Sequence, residues 1–210
     1  MVEGQKNLNN FESLSEKQQL LDAVAQRIKT EMVCPLKDAA KNLVFGKGNP
    51  DAFIMVIGEA SGAREDELGI PFVGKAGQQL DRCLKKINLS LDDVYIANIL
   101  KYRPPKNRNP TAEEMKRHTP YLIEQIKIIQ PKILVTLGNF ATRFVLNGFN
   151  AVGINKIEGI TKLHGQAQKI TINSHEYLVF PQYHPAATLY NPNLWTTLED
   201  DFVKMKPYLR

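Results

Sequence analysis

Residues 53–77 read FIMVIGEASGAREDELGIPFVGKAG, and this stretch decides the fold class. The run 53–57 is short, continuous and apolar, which is typical of a strand buried on both faces of a sheet. Residues 58–77 then carry five glycines and four acidic side chains, a composition unsuited to a core. Open α/β sheets bind ligands just beyond the carboxyl ends of such strands. On its position alone, the stretch fits a ligand-binding loop and an ordinary solvated loop equally well.

The chain totals indicate a globular protein. Of its 210 residues, 43% are hydrophobic and 23% charged, as in one domain with a full-sized core. No apolar run approaches the ~18 residues of a membrane helix, and the polar N-terminus lacks the apolar centre of a signal peptide. We expect a cytoplasmic monomer without membrane association. Residues 1–30 are predicted to be an N-terminal helical extension, frayed over 1–14, and residues 31–210 the main domain.

Charge and cysteine content limit the partner and the compartment. The formal net charge is +5 and the pI is about 9.1, which permits a polyanionic partner without requiring one. The two cysteines, Cys34 and Cys83, are too few for a disulfide framework. This cysteine content indicates a reducing compartment.

Strands and helices are predicted to alternate along the rest of the chain. Further buried strands are predicted at 94–100, 132–138 and 177–181. Helices are predicted at 16–32, 76–87, 111–129, 139–146 and 193–205, with Thr111 and Glu114 as a capping box. Antiparallel strands are predicted within 149–176, including 157–163 and 168–172. This alternation is typical of an α/β sandwich with a mostly parallel sheet.

Polar side chains follow three of the predicted strands. They lie in residues 58–77, 98–109 and 184–187. Because the carboxyl ends of parallel strands share one edge of a sheet, these segments are expected to meet. The side chains expected to converge there are Glu59, Glu65, Phe72, Asn98, Asn107 and His184.

Each of these side chains also has an ordinary structural interpretation. His184 is either structural or a hydrogen-bond donor to a developing oxyanion. Asn98 is either a core amide paired with backbone or a reader of a nucleobase edge. Phe72 is either core or a flat wall for a base.

The loop after the second strand is dense in basic residues. It is either a solvated surface loop or a set of phosphate contacts. Its basic residues are Lys101, Arg103, Lys106 and Arg108.

Five motifs, in order and covering about residues 31–205, resemble family 4 uracil-DNA glycosylases. They are GEASGARED (58–66), PFVGKAGQQLD (71–81), ANILKYRPPKNRNPTAEE (97–114), PKILVTLG (131–138) and HPAA (184–187). The resemblance implies a three-layer α/β/α sandwich with a central four-stranded, mostly parallel sheet. It also implies that uracil is flipped out of single- or double-stranded DNA and released by hydrolysis of its N-glycosidic bond, which leaves an abasic site and starts base excision repair.

The resemblance also implies roles for individual residues around the base. Phe72 would stack on uracil, Asn98 would read its O4 and N3 edge, and His184 would stabilise charge on O2. Gly58 and Ala60 would bring backbone groups to the base.

The implied catalytic and DNA contacts extend beyond the base. Glu59, Glu65 and Asn107 complete the implied catalytic set, and which of them positions water stays open. Lys101, Arg103 and Arg108 would contact the DNA backbone. The minor groove would be met by Ala186, Ala187 and Leu189, with Leu189 or Tyr190 as a wedge.

The sequence departs from the family pattern at its metal ligands. Family 4 members usually bind a four-iron four-sulfur cluster through four cysteines, and here those positions hold Glu31, Cys34, Tyr102 and His118. Since a cluster needs about four thiolate-type ligands, we predict no cluster and no bound metal. A different metal at Glu31, Cys34 and His118 is the open alternative to replaced packing.

A second departure is Ser61, where the family has proline. With the cysteine losses, it leaves two alternatives to a uracil-DNA glycosylase. One is a DNA-binding protein that has lost turnover, and the other is a glycosylase acting on hypoxanthine or xanthine.

Overall fold

A computed structural model describes residues 15–172 and 174–209; the frayed segment expected at 1–14 lies outside the described residues. The strands are β1 (Lys47–Gly48), β2 (Ile54–Gly58), β3 (Tyr95–Asn98), β4 (Ile133–Leu137), β5 (Gln168–Ile172) and β6 (His175–Gln182). The helices are α1 (Glu16–Glu31), α2 (Pro35–Ala39), α3 (Ala63–Leu68), α4 (Lys75–Lys85), α5 (Ala112–Ile129), α6 (Gly138–Leu146), α7 (Ile160–Leu163), α8 (Ala187–Tyr190) and α9 (Leu194–Val203).

The strands form one mixed sheet in the order β1-β3-β2-β4-β6-β5. The inner strands β3, β2, β4 and β6 are parallel, and the edge strands β1 and β5 are antiparallel to their neighbours. The prediction of a four-stranded sheet is therefore wrong in number, although its parallel centre is confirmed. β1 has only two residues, too few to show a periodic pattern, and pairs with β3 by long-range hydrogen bonds.

Helices cover both faces of the sheet. On β2, Met55 and Ile57 join a core cluster with side chains of α1, α5 and α6, whereas Ile54 and Val56 join one with α4 and α9. This alternation is the side-chain period of a strand buried on both faces. The clusters hold the parallel strands in place, so their carboxyl ends form a rigid edge.

Helix α1 belongs to the first of these clusters. Its Leu21, Val24 and Ile28 are at most 2% exposed. The boundary expected near residue 30 thus falls within the last turn of a helix that contributes to the common core. Among the described residues, no helix has the length and apolarity to cross a membrane.

The helix predictions differ from the structure in two places. Residues 58–77, predicted as a loop, contain α3, and residues 160–163, predicted as a strand, form α7. α5 begins as predicted, with Thr111 and Glu114 forming a capping box. Both errors concern short helices, whose few residues show no helical period.

Candidate active site

A cavity of about 410 Å³ opens at the carboxyl edge of the parallel strands. Its lining combines residues that the sequence scatters over more than 120 positions. The lining residues are Glu59, Ala60, Ser61, Gly62, Glu65, Phe72, Ala76, Asn98, Pro104, Asn107, Arg108, Asn109, His184 and Ala186. A larger groove of about 790 Å³ lies between α5 and residues 149–152, and none of the predicted site residues lines it.

Asn98 lines the cavity, and Gly58 lies beside it. They are register partners at the ends of β2 and β3. A Cβ at position 58 would overlap Asn98 Oδ1 and lie 3.4 Å from the Phe72 ring, so a larger residue there would displace the Asn98 amide. Asn98 is 2% exposed, and within the described chain its Oδ1 has no hydrogen-bond partner. A buried amide oxygen left unpaired costs free energy, which indicates that a ligand completes it.

Phe72 provides a flat apolar wall beside this amide. It is 7% exposed, and its ring lies 6.0 Å from the His184 ring at an interplanar angle of 26°. Its φ of 53° places a bulky residue in the left-handed region, a strain of about 1–3 kcal/mol that is found mostly at functional sites. Gly77 permits this turn because a Cβ there would overlap the Phe72 carbonyl.

His184 presents one ring nitrogen as a donor. Its Nδ1 accepts a hydrogen bond from Ala186 N at 3.1 Å, which leaves the proton on Nε2. Burial lowers the pKa of His184 to about 4, with Glu65 acting in the opposite direction. The imidazole is therefore neutral at pH 7 and carries an N–H suited to an oxyanion.

Glu59 is the carboxyl group whose protonation the cavity changes most. It follows β2 directly and is partly buried. Burial raises the pKa of Glu59 to about 7. A carboxyl with such a pKa exchanges protons near neutral pH, as a general base requires.

Glu65 lines the cavity and also holds the Phe72 turn. From α3, its Oε1 accepts hydrogen bonds from Val73 N at 3.1 Å and Gly74 N at 2.8 Å. The turn that carries Phe72 is thus tied to α3. Glu65 positions this wall whether or not it also contacts the sugar.

The loop after β3 places Asn107 at the cavity mouth. Lys106 and Asn107 both adopt positive φ, and Asn107 Oδ1 accepts a hydrogen bond from Arg103 Nε at 2.8 Å. Arg108 makes a two-pronged ion pair with Glu114, at 2.5 and 2.8 Å. This pair and, to a smaller extent, hydrogen bonds from Thr111 lower the pKa of Glu114 to about 2, although burial acts in the opposite direction. Arg103 and Arg108 therefore shape the loop as well as supplying charge.

Lys101, expected to contact the DNA backbone, lies inside the protein. Its side chain is 0% exposed and points into the protein. Ala186 lines the cavity, Ala187 is partly buried, and Leu189 is 41% exposed on α8. Tyr190 is 89% exposed beside it.

Sequence comparison assigns this architecture to a family. Residues 45–210 match the model described as Uracil DNA glycosylase superfamily. The chain belongs to that superfamily. It is 45% identical to the type-4 uracil-DNA glycosylase of Sulfurisphaera tokodaii over 86% of this chain and 83% of the relative. It is 44% identical to that of Saccharolobus solfataricus (90% and 86%) and 36% identical to that of Thermotoga maritima (92% and 97%).

The four cluster positions of this type-4 chain do not fit an iron-sulfur cluster. Cys34 supplies one thiol, whereas a cluster needs about four thiolate-type ligands. Glu31 is exposed and lies 3.9 Å from Arg27 Nε. Tyr102 packs its ring edge-on against the His118 ring, at 6.2 Å.

His118 has both ring nitrogens engaged. Its Nδ1 accepts a hydrogen bond from Lys101 N at 2.9 Å, and its Nε2 lies 3.5 Å from Cys34 Sγ. Burial lowers the pKa of His118 to about 3, so the ring is neutral. In the described part of the chain, no three His, Cys, Asp or Glu side chains are grouped to hold a metal ion. Cys34, Tyr102 and His118 are buried and contact one another through the His118 ring.

The sequence interpretation did not find a role for Ser61. It is 3% exposed, it lines the cavity, and its Oγ has no hydrogen-bond partner among the described residues. Ser61 lies two residues after Glu59 in a motif where proline is usual, and this feature of the sequence could have identified it as a site residue.

Proposed function

We propose that this protein releases uracil from DNA: the cavity receives a flipped-out uracil, and hydrolysis of the N-glycosidic bond leaves an abasic site for base excision repair. The observation that carries the proposal is the unpaired, buried amide of Asn98, which faces one cavity together with the Phe72 ring and the neutral His184. The match to the superfamily and to the type-4 relatives supports the same reaction.

Asn98 provides the discrimination between bases. Its Oδ1 accepts from uracil N3–H, and its amide NH₂ donates to uracil O4. Cytosine presents the reverse pattern at those two positions, so it would leave both buried groups unpaired. A site of this kind rejects the wrong partner strongly, because each unpaired buried group is costly. Phe72 stacks on the face of the base and does not distinguish bases by the hydrogen-bonding groups on their edges.

His184 stabilises the departing base. When the bond between the sugar C1′ and uracil N1 breaks, both electrons stay on the base and charge develops on O2. A neutral imidazole N–H donates to that oxygen without giving up its proton. Removing one donor of this kind costs roughly 10²–10³-fold in rate in other enzymes.

Glu59 completes the reaction from the sugar side. As a carboxylate, it accepts a proton from the water that attacks C1′. The water oxygen forms the new bond to C1′, and uracil N1 is finally protonated. Asn107 and Glu65, which line the same cavity, are the further candidates for orienting this water.

The test uses a labelled oligonucleotide with one uracil, followed by alkaline cleavage of abasic sites. We expect strand breaks with uracil but not with cytosine at that position, and a large loss of rate in Asn98→Ala. Asn155→Ala, at an exposed position on a 3-10 turn, is the matched control and should retain activity. No release from either single- or double-stranded substrate would refute the proposal. Oligonucleotides with hypoxanthine or xanthine in the same position test for altered specificity.

A further inference from the structure

Lys101 is a buried cation directly behind the cavity wall. Its side chain is 0% exposed, and its Nζ donates to Asn98 O at 2.9 Å and to Gln125 Oε1 at 2.5 Å. A third acceptor, Phe45 O, lies at 3.4 Å. The three ammonium protons therefore have three oxygen acceptors, and none of these oxygens belongs to a carboxylate.

The titratable groups around Lys101 are neutral. Among the described residues, no carboxylate lies within ion-pair distance of its Nζ. The titratable side chains packed around it are His118, which accepts its backbone N–H, and Tyr95, whose hydroxyl accepts from Gln125 Nε2 at 3.3 Å. Burial lowers the pKa of His118 and raises that of Tyr95, so both are neutral at pH 7. Burial lowers the pKa of Lys101 to about 7, whereas its three acceptors favour the ammonium form.

The Lys101 main chain is held as firmly as its side chain. Its N–H donates to His118 on α5, and its carbonyl accepts from Val44 N at 2.9 Å. Gln125 Nε2 also donates to Phe45 O, at 3.1 Å. The ammonium thus connects the end of β3 to α5 and to the segment before β1, and it is fixed before substrate arrives.

We propose that Lys101 is a positioning residue for uracil release: it holds the Asn98 main chain and keeps a fixed positive charge behind the base. The proposal rests on the role of Asn98 in the proposed function. Charge that develops on the base faces a preorganised cation in a low-dielectric interior, where such interactions are stronger than in water. The charge acts on the transition state more than on bound substrate, because the bound uracil is neutral.

Leaving-group dependence separates this charge effect from a structural one. Fluorine at C5 withdraws electrons, so 5-fluorouracil departs as a more stable anion. Its release therefore depends less on stabilisation of that anion by the protein. Lys101→Met keeps an unbranched apolar side chain and removes the charge and the bond to Asn98. In single-turnover assays, we expect it to slow uracil release by roughly tenfold or more, less than the loss of a direct donor. The loss should be clearly smaller with 5-fluorouracil.

A second variant keeps Lys101 and cancels its charge. Gln125→Glu places a carboxylate beside the ammonium while the bond to Asn98 O remains. Like Lys101→Met, it should slow the release of uracil more than the release of 5-fluorouracil. This variant decides the question if Lys101→Met does not fold. Tyr95→Phe is the matched control, because it disturbs the same buried cluster without removing a contact of the ammonium. It should release uracil and 5-fluorouracil at the wild-type rates.

Two outcomes would overturn the proposal. One is an unchanged rate in both charge-altering variants, and the other is an equal loss of rate with uracil and 5-fluorouracil in the folded variants. Failure of the proposed function looks different. There, the wild-type protein releases neither base, or Asn98→Ala releases uracil at the wild-type rate.

Discussion

Gly58 and Asn98 face each other across β2 and β3, and the absence of a side chain on Gly58 makes room for the amide oxygen of Asn98. A Cβ added at Gly58 would also lie 3.4 Å from the Phe72 ring. One residue without a side chain thus sets the spacing between the group that reads the base edge and the group that stacks on its face.

Replacing Gly58 by alanine should therefore damage base recognition. The new methyl group would displace the Asn98 amide, and a misplacement of about 1 Å costs roughly 10²-fold in rate. Single-turnover release of uracil measures the effect. The matched control is the double variant Gly58→Ala/Asn98→Ala, which should be no slower than Asn98→Ala because the displaced group is already gone. Additive losses would show that Gly58 acts by another route.

The pH profile of uracil release should be bell-shaped. Burial raises the pKa of Glu59 to about 7, and its carboxylate is the active base, so the rate rises with pH up to and through that value. Loss of the Lys101 proton acts in the opposite direction, because burial lowers the pKa of Lys101 to about 7. His184, with its pKa lowered to about 4, stays neutral across both limbs.

Single-turnover rates from about pH 5 to about pH 9 test this profile. Glu59→Gln should remove the acidic limb, and Lys101→Met should remove the alkaline one. An unchanged acidic limb in Glu59→Gln would assign the base to another group.

Two substitutions separate the structural and chemical roles of Glu65. Glu65→Ala removes the acceptor for Val73 N and Gly74 N and should lower the free energy of unfolding by about 1.5–3 kcal/mol, as for other hydrogen bonds to charged groups. Glu65→Gln keeps an acceptor oxygen and should lose much less stability. Urea unfolding measures both. If Glu65→Gln is stable but releases uracil slowly, its charge serves the chemistry as well.

The packing of Cys34, His118 and Tyr102 should stabilise the protein without iron. Protein prepared anaerobically from iron-supplemented cells should contain no stoichiometric iron and no broad visible absorption. His118→Ala leaves the Lys101 N–H unpaired and should lower the free energy of unfolding by about 1–3 kcal/mol. Cys34→Ala keeps that hydrogen bond and should cost less. Bound iron that is lost in Cys34→Ala would contradict this account.

Local sequence pattern was enough to predict the parallel centre of the sheet. β2, β3, β4 and β6 each contain a short apolar run, at residues 54–57, 95–97, 133–135 and 177–180, and such runs are typical of buried strands. Once these strands are parallel, Asn98 and His184 must share an edge with Glu59. The six side chains that were expected to converge all line the cavity, which also includes residues such as Ser61 that were not expected.

Residues that make distant contacts were harder to predict. Lys101 follows a strand in a basic loop, and no local pattern shows that its ammonium turns inward to Gln125, 24 positions away. Likewise, β1 becomes a strand only through its pairing with β3, and Glu65 meets the Phe72 turn only because α3 folds back on it. The tendency of a segment to be buried can be predicted from its own apolar residues. The direction of a polar side chain depends instead on which partners the complete fold brings within hydrogen-bonding distance.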